Sequence, residues 1–194
     1  MFFKKSSLSI EDFCEKIKGA FGSQLLSAYS YPEFLGDPHE KTLLLIIKEP
    51  VYDKILSLNL GASSAHHVKV FTLEELHHSL DVFPLEFLEL QQCRSLLHGD
   101  DVLAQLDIDD HHIRLQCEFY LRSLILKVRE ASFCSVPHAE KIAKQSMGML
   151  AAVQKYLQCP LSIPDGLFVT HSPYESLLLY FAFLDSITAY CDKA

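Results

Sequence analysis

Two apolar runs near the start of the chain constrain its fold more than any other feature. The first run spans Leu25 to Tyr29, the second spans Thr42 to Ile47, and a polar loop over residues 30–41 joins them. Apolar runs this short have the length of β-strands rather than of helices. The second run is apolar at almost every position, which predicts a central strand that is buried on both faces.

Capping signals and apolar periodicity predict the other elements of the first half. We predict helices over residues 9–22, 50–61 and 72–79, and strands over residues 68–71 and 84–90. Thr72 and Glu75 form a capping box, which marks the start of the third helix. In the strand predicted over 84–90, Glu86 lies on the opposite face from Leu85 and Phe87.

After residue 105 the pattern becomes helical throughout. Apolar residues recur at spacings of three and four from Ile113 to Val128, and a second helix is predicted over 135–157. The segment Ser172 to Glu175 combines a capping box with a proline in the first turn, which is a helix start signal. The sequence therefore predicts an α+β fold, with a small mixed-sheet domain over residues 1–105 and an α-helical bundle over residues 106–194.

Composition and charge exclude several classes of partner. The 194-residue chain has a net charge of −8 and no cluster of four or more basic residues, which disfavours binding to nucleic acid or anionic lipid. No apolar run approaches the roughly 18 residues that span a bilayer, and the first residues lack the apolar segment of a signal peptide. Six scattered cysteines without paired spacing predict reduced thiols. We expect a cytoplasmic protein.

Three short motifs of the first half carry a family resemblance. Tyr29-Ser30 ends the first apolar run, Glu40-Lys41-Thr42 leads into the second, and Glu86 lies in the last predicted strand. Residues 8–105 thereby resemble the nucleotidyltransferase fold of the minimal nucleotidyltransferase type. In that family a strand ends in a glycine-serine turn, an acid-X-acid motif precedes the next strand, and a third carboxylate lies on another strand. The second half is similar to helical domains, including the HEPN type, that follow such domains.

The resemblance implies roles for three residues. Ser30 would bind the nucleotide, whereas Glu40 and Glu86 would be catalytic residues and, in an active enzyme, the ligands of Mg²⁺. Tyr29 stands where the family has glycine, and its side chain would obstruct the approach of backbone N–H groups to a triphosphate. Thr42 stands where the family has its second acid, and a neutral hydroxyl is a poor Mg²⁺ ligand. We therefore expect a catalytically degenerate protein that acts by ligand or protein binding and holds no certain cofactor.

Two alternatives to this interpretation stay open. One is an active Mg²⁺-dependent nucleotidyltransferase that uses Glu40 and Glu86 with a displaced acid, either Asp37 or Glu33. The other is an interaction module of a two-component pair of helical and transferase-like proteins. The last helix is apolar around nearly its whole circumference between residues 177 and 184, which favours a homodimer or a protein partner. A nucleotide would bind only weakly.

Histidine-rich motifs do not predict a further activity. The pairs His66-His67, His77-His78 and His111-His112 cannot chelate a metal alone, because adjacent side chains diverge on a helix or strand. Neither Arg94 with His98 nor Arg129 with His138 has the spacing of RNA-cleaving HEPN domains. We interpret these histidines as solvated and predict no ribonuclease activity.

Overall fold

The chain divides into two compact units, Met1–Ile108 and Asp109–Ala194. A computed structural model describes residues 10–32, 41–57 and 67–193. The predicted domain boundary between residues 105 and 106 falls just before this division. The predicted start of the first helix, at Ser9, and the predicted end of the second helix, at Gly61, lie outside the described residues.

The first unit is built on a mixed sheet. Its elements in chain order are α1 (Ile10–Phe21), β1 (Leu25–Pro32), β2 (Lys41–Ile47), α2 (Tyr52–Ser57), β3 (His67–Thr72), α3 (Leu73–His78), α4 (Pro84–Cys93) and β4 (Ser95–Gly99). The described residues form a four-stranded sheet in the order β3-β2-β1-β4. Strand β1 runs antiparallel to both β2 and β4, whereas β2 and β3 are parallel. The predicted α+β class with a mixed sheet is confirmed.

Helices cover both faces of this sheet. On one face α1 contributes Phe13 and Ile17 to an apolar core, and on the other face α4 contributes Phe87 and Leu90 to a second core. Strand β2 sends alternate side chains into the two cores. This alternation explains its uninterrupted apolar sequence and confirms the prediction of a central strand buried on both faces.

The strand predicted over residues 84–90 is wrong, because this segment is helix α4. Pro84 occupies the first turn, where a missing N–H costs nothing, and the buried residues Leu85, Phe87 and Leu90 follow a helical rather than an alternating pattern. The short stretch around Leu85 and Phe87 fits both periods, which misled the sequence interpretation. In the helix, Glu86 lies one turn from Glu89 and on the same side.

Strand β4 is absent from the sequence prediction because its apolar run is very short. It pairs with β1 and ends at Gly99, which has φ of 77°. A Cβ atom at Gly99 would lie 1.8 Å from the carbonyl oxygen of Leu26. Only glycine therefore allows the two strands to approach this closely.

The second unit is helical. Its helices among the described residues are α5 (Asp110–Cys134), α6 (Val136–Gln145), α7 (Met147–Tyr156) and α8 (Pro173–Cys191). The single helix predicted over 135–157 is divided at Ser146, whose hydroxyl contacts the Ala143 carbonyl and the Tyr180 hydroxyl. The capping box that starts α8 is confirmed. No helix in the described ranges combines the length and apolarity that a membrane crossing needs.

Candidate functional site

Tyr29 and Ser30 lie within β1 and not at a turn. Tyr29 is in register with Leu44 on β2 and with Leu96 on β4, and Ser30 is likewise paired on both sides. Since β1 continues to Pro32, the prediction of a turn at Tyr29-Ser30 is wrong. A strand with a partner on each side uses its backbone N–H groups in the hydrogen-bond ladder. These groups are therefore not presented to a phosphate.

The Tyr29 side chain ties β1 to the segment after β4. The ring is fully buried, and its hydroxyl donates to the Asp100 carbonyl oxygen at 3.2 Å and accepts from the Leu103 N–H at 3.3 Å. The Ser27 hydroxyl donates to the same carbonyl oxygen at 2.5 Å. Burial raises the pKa of the Tyr29 phenol above its ordinary value. Tyr29 thus has a structural role at this position.

An ion pair fixes α4 to the same segment. The Arg94 guanidinium donates from Nε to Asp101 Oδ1 at 2.9 Å and from Nη2 to Oδ2 at 2.6 Å, and it also donates to the Gln91 carbonyl oxygen. The hydrogen bond from Arg94 lowers the pKa of Asp101. The Gln91 amide in turn donates to the carbonyl oxygens of Leu103 and Leu106 at 2.9 and 2.8 Å. Helix α4 is therefore held in one position over the sheet.

A pocket of about 270 Å³ lies between α4 and the sheet. Four aromatic side chains line it, from Tyr31 on β1, Phe71 on β3, Phe83 before α4, and Phe87 on α4. The rings of Phe71 and Phe87 meet edge to face, with centroids 6.1 Å apart. The other lining residues are Pro32, Leu44, Lys69, Glu86, Glu89 and Leu90. The pocket therefore offers an aromatic interior of the kind that binds small organic ligands.

Charged groups of both signs border this pocket. The Lys69 ammonium lies 5.9 Å from the centroid of the Tyr31 ring, within the range of a cation–π contact. Glu86 and Glu89 project from neighbouring turns of one side of α4. Among the lining side chains that the structure describes, two are carboxylates and one is an ammonium, and Glu89 also accepts a hydrogen bond from the Cys93 thiol at 3.2 Å.

The structure separates two of the predicted site residues. Glu86 lines the pocket on the α4 face of the sheet. Ser30 is buried and alternates with Tyr29 and Tyr31, so its side chain lies on the α1 face. Ser30 and Glu86 therefore do not share one cleft. Thr42 is buried in register with Tyr31.

The carboxylates of the preceding loop are outside the described residues. Glu40, Asp37 and Glu33 belong to this segment, so the pairing of Glu40 with Glu86 around a metal stays a prediction. Within residues 10–32, 41–57 and 67–193, no group of three or more His, Cys, Asp or Glu side chains is arranged to hold a metal ion.

Sequence reasoning missed most of the pocket. The sequence prediction ends the first apolar run at Tyr29 and leaves Tyr31 in the loop, although an aromatic residue two positions further on is a strand signal. Phe83 and Lys69 carry no local pattern that distinguishes them from ordinary surface residues. Their common location depends on how α4 packs on the sheet.

Comparison with known proteins finds similarity in structure but not in sequence. No family model matches the chain, and no curated protein matches its sequence. Among solved structures, the chain is similar to spectinomycin adenyltransferase AAD(9) from Enterococcus faecialis, crystallised with ATP and spectinomycin. The sequences are 11% identical, the TM-score is 0.42, and the likeness covers 92% of this chain and 96% of that one. A likeness this distant defines neither an active site nor a ligand for this chain.

Proposed function

We propose that this chain is a nucleotidyltransferase-like protein without metal-dependent transfer activity, which binds a small ligand in the pocket beneath α4. The observation that carries the proposal is the environment of Tyr29. The position at which the resemblance requires glycine holds a buried phenol that bonds Asp100 and Leu103. A phosphate-binding turn needs free N–H groups and room beside the backbone. Strand β1 is paired on both sides and its Tyr29 side chain occupies the adjacent space, so it provides neither free N–H groups nor room for a phosphate.

The pocket itself supports a binding role. Its aromatic walls suit a planar or apolar body, and its volume of about 270 Å³ is close to the lower limit of roughly 300 Å³ for small-molecule sites. Glu86 and Glu89 favour an amino group on that body, and an ammonium can also lie on an aromatic face. The ligand class that fits best is a small organic amine with an aromatic body.

Tryptamine is a suitable probe of this proposal, because the chain contains no tryptophan and indole fluorescence would arise from the ligand alone. We expect fluorescence anisotropy of tryptamine to rise and saturate as protein is added. Indole-3-acetate, which carries the opposite charge on the same ring, should bind more weakly. The absence of saturable tryptamine binding, or equal binding of both indoles, would overturn the proposed ligand class.

Variants locate the binding site. Glu86→Gln should weaken tryptamine binding by about tenfold, because it removes a charge-assisted contact. Phe83→Ala should also weaken binding, because it removes one of the aromatic walls of the pocket. Phe83 is already partly exposed, so its truncation should leave the fold intact. The matched controls are Glu74→Gln on α3 and Tyr52→Ala on α2, which do not line the pocket. If the control variants weaken tryptamine binding as much as the pocket variants do, the ligand binds elsewhere on the protein.

A second experiment addresses the enzymatic alternative, in which Glu86 of the pocket would act together with Glu40. We expect no transfer of nucleotide from labelled ATP in the presence of Mg²⁺ or Mn²⁺, either to the protein or to a small amine. Glu40→Ala and Glu86→Ala should then match the natural sequence. A metal-dependent signal that both variants abolish would establish the active transferase instead.

A cytoplasmic location is part of the proposal. The free cysteines among the described residues include two exposed thiols, Cys93 and Cys134. Exposed thiols persist in reducing compartments, whereas secretion exposes them to oxidation. Labelling of these two residues by a thiol reagent in freshly opened cells would support the location, and prior oxidation of both would contradict it.

A further inference from the structure

Helix α5 carries an exposed apolar stripe. Leu115 is 48% exposed, Phe119 65%, Leu126 65% and Phe133 94%. Their spacings of four, seven and seven residues put all four side chains on one line along the helix. At 1.5 Å per residue the stripe is about 27 Å long. Apolar side chains aligned in this way on one helix face can form a site of protein–protein contact.

The stripe lies opposite the face that α5 buries in its own unit. The buried face packs towards α6 and α8. Its residues are Ile113, Cys117, Leu121, Leu124, Ile125, Val128 and Ala131. Helix α5 thus has two apolar faces on opposite sides. The inner face builds the second unit, and of the outer stripe Phe119 also borders a groove with Ile142 of α6 and Met149 of α7. The outer stripe requires another explanation.

The stripe has the spacing of a coiled-coil seam. Phe119, Leu126 and Phe133 recur every seven residues and occupy one core position of the heptad. Leu115 lies four residues before Phe119 and occupies the other core position. Arg122 and Arg129 continue that second position. On a straight α-helix, residues seven positions apart shift only slightly around the helix axis, so the stripe stays on one side over this short length.

This arrangement is complementary to itself when the helix is reversed. A two-fold axis beside position 124 would put Leu115 opposite Phe133 of a second copy. The same axis would put Phe119 opposite Arg129 and Arg122 opposite Leu126. Each pair joins the two different core positions, as antiparallel packing requires. We infer that the α5 stripe is the interface of an antiparallel homodimer, with a second copy of this chain as its occupant.

The charges on the stripe agree with this pairing. Arg122 donates from Nε to Glu118 at 2.7 Å and from Nη2 to Asp192 at 2.9 Å, so its charge is balanced within its own subunit. Its methylene stem can therefore cover Leu126 of the second copy. Arg129 faces the ring of Phe119 across the interface, which is a favourable cation–π pair. Because the proposed dimer has two-fold symmetry, each of these two pairs occurs twice in the interface.

The interface is small, so dimerisation should depend on concentration. A single pair of helices of this length buries less than the roughly 1,200–2,000 Å² of a standard stable interface. Sedimentation velocity from low micromolar to several hundred micromolar protein should show the mass rising from 22.0 kDa towards twice that value. A monomer at every concentration would overturn the inference.

Substitutions distinguish this stripe from other apolar surfaces. Leu126→Glu should abolish the dimer without changing the circular dichroism spectrum, because the side chain is exposed. The matched control is Leu178→Glu on α8, where the leucine is also exposed but lies outside the stripe. A dimer that survives Leu126→Glu, or that Leu178→Glu disrupts equally, would contradict the assignment. This result does not depend on the ligand pocket, since Leu126 and Leu178 both lie in the second unit.

Disulfide trapping tests the antiparallel register. In a Cys93→Ser/Cys134→Ser background, a mixture of Leu115→Cys and Phe133→Cys proteins should form a disulfide between unlike copies on mild oxidation. Neither variant alone should do so, because in the antiparallel register neither position meets its own copy. Disulfides within each separate variant would indicate a parallel arrangement and overturn the proposed register.

Discussion

The two faces of the sheet in the first unit are covered in different ways. On the α1 face, the buried core around Phe13 and Ile17, both at 0% exposure, is apolar, and Ser30 is a buried polar side chain beside it. On the α4 face, the buried Tyr29 keeps a hydroxyl with two partners, and an ion pair and a pocket lie nearby. The first face stabilises the unit mainly by apolar burial, whereas the second combines burial with directed hydrogen bonds and leaves room for a ligand.

The largest expected effect is on the α1 face. Phe13→Ala removes a fully buried ring and should lower the free energy of unfolding by about 3–5 kcal/mol. Urea denaturation followed by circular dichroism measures this loss. If the two faces differ as proposed, tryptamine binding to the protein that remains folded should be unchanged. Weakened binding in the folded fraction would show that the α1 face also shapes the pocket.

Tyr29→Phe should have a smaller effect and acts on the α4 face. The ring stays in place, but the Leu103 N–H loses its acceptor, which costs about 1–3 kcal/mol for a buried polar group. Urea denaturation is again the measurement, with Tyr52→Phe on α2 as an exposed control. A loss no larger than that of the control would mean that the Tyr29 hydroxyl does not tie β1 to the segment after β4.

The smallest effect is the pH dependence of the Arg94–Asp101 pair. The pKa of Asp101 is lower in the folded state, so its contribution to stability is complete above the unfolded value of about 4 and is lost as pH falls through the folded value. The difference in melting temperature between the natural sequence and Asp101→Asn should therefore shrink at acid pH. Asp53→Asn on α2 serves as the control. A difference that stays constant with pH would contradict the role of the pair.

Local signals explain which parts of the fold were predictable. The length and apolarity of the second run predicted β2, and the capping box of Thr72 and Glu75 predicted the start of α3. These signals arise from residues that are close in sequence, so the local sequence is sufficient to predict β2 and the start of α3. The α4 segment failed because two apolar residues at alternate positions fit a strand as well as a helix.

The amino-acid sequence by itself determined the α+β class, the central strand and the helical second half, since each follows from burial pattern and capping. Only the tertiary structure decided that Tyr29 lies between two paired strands, that Ser30 and Glu86 lie on opposite sides of the sheet, and that four aromatic side chains meet beneath α4. These features depend on strand order and helix packing. Such contacts join residues far apart in the chain, and no local pattern encodes them.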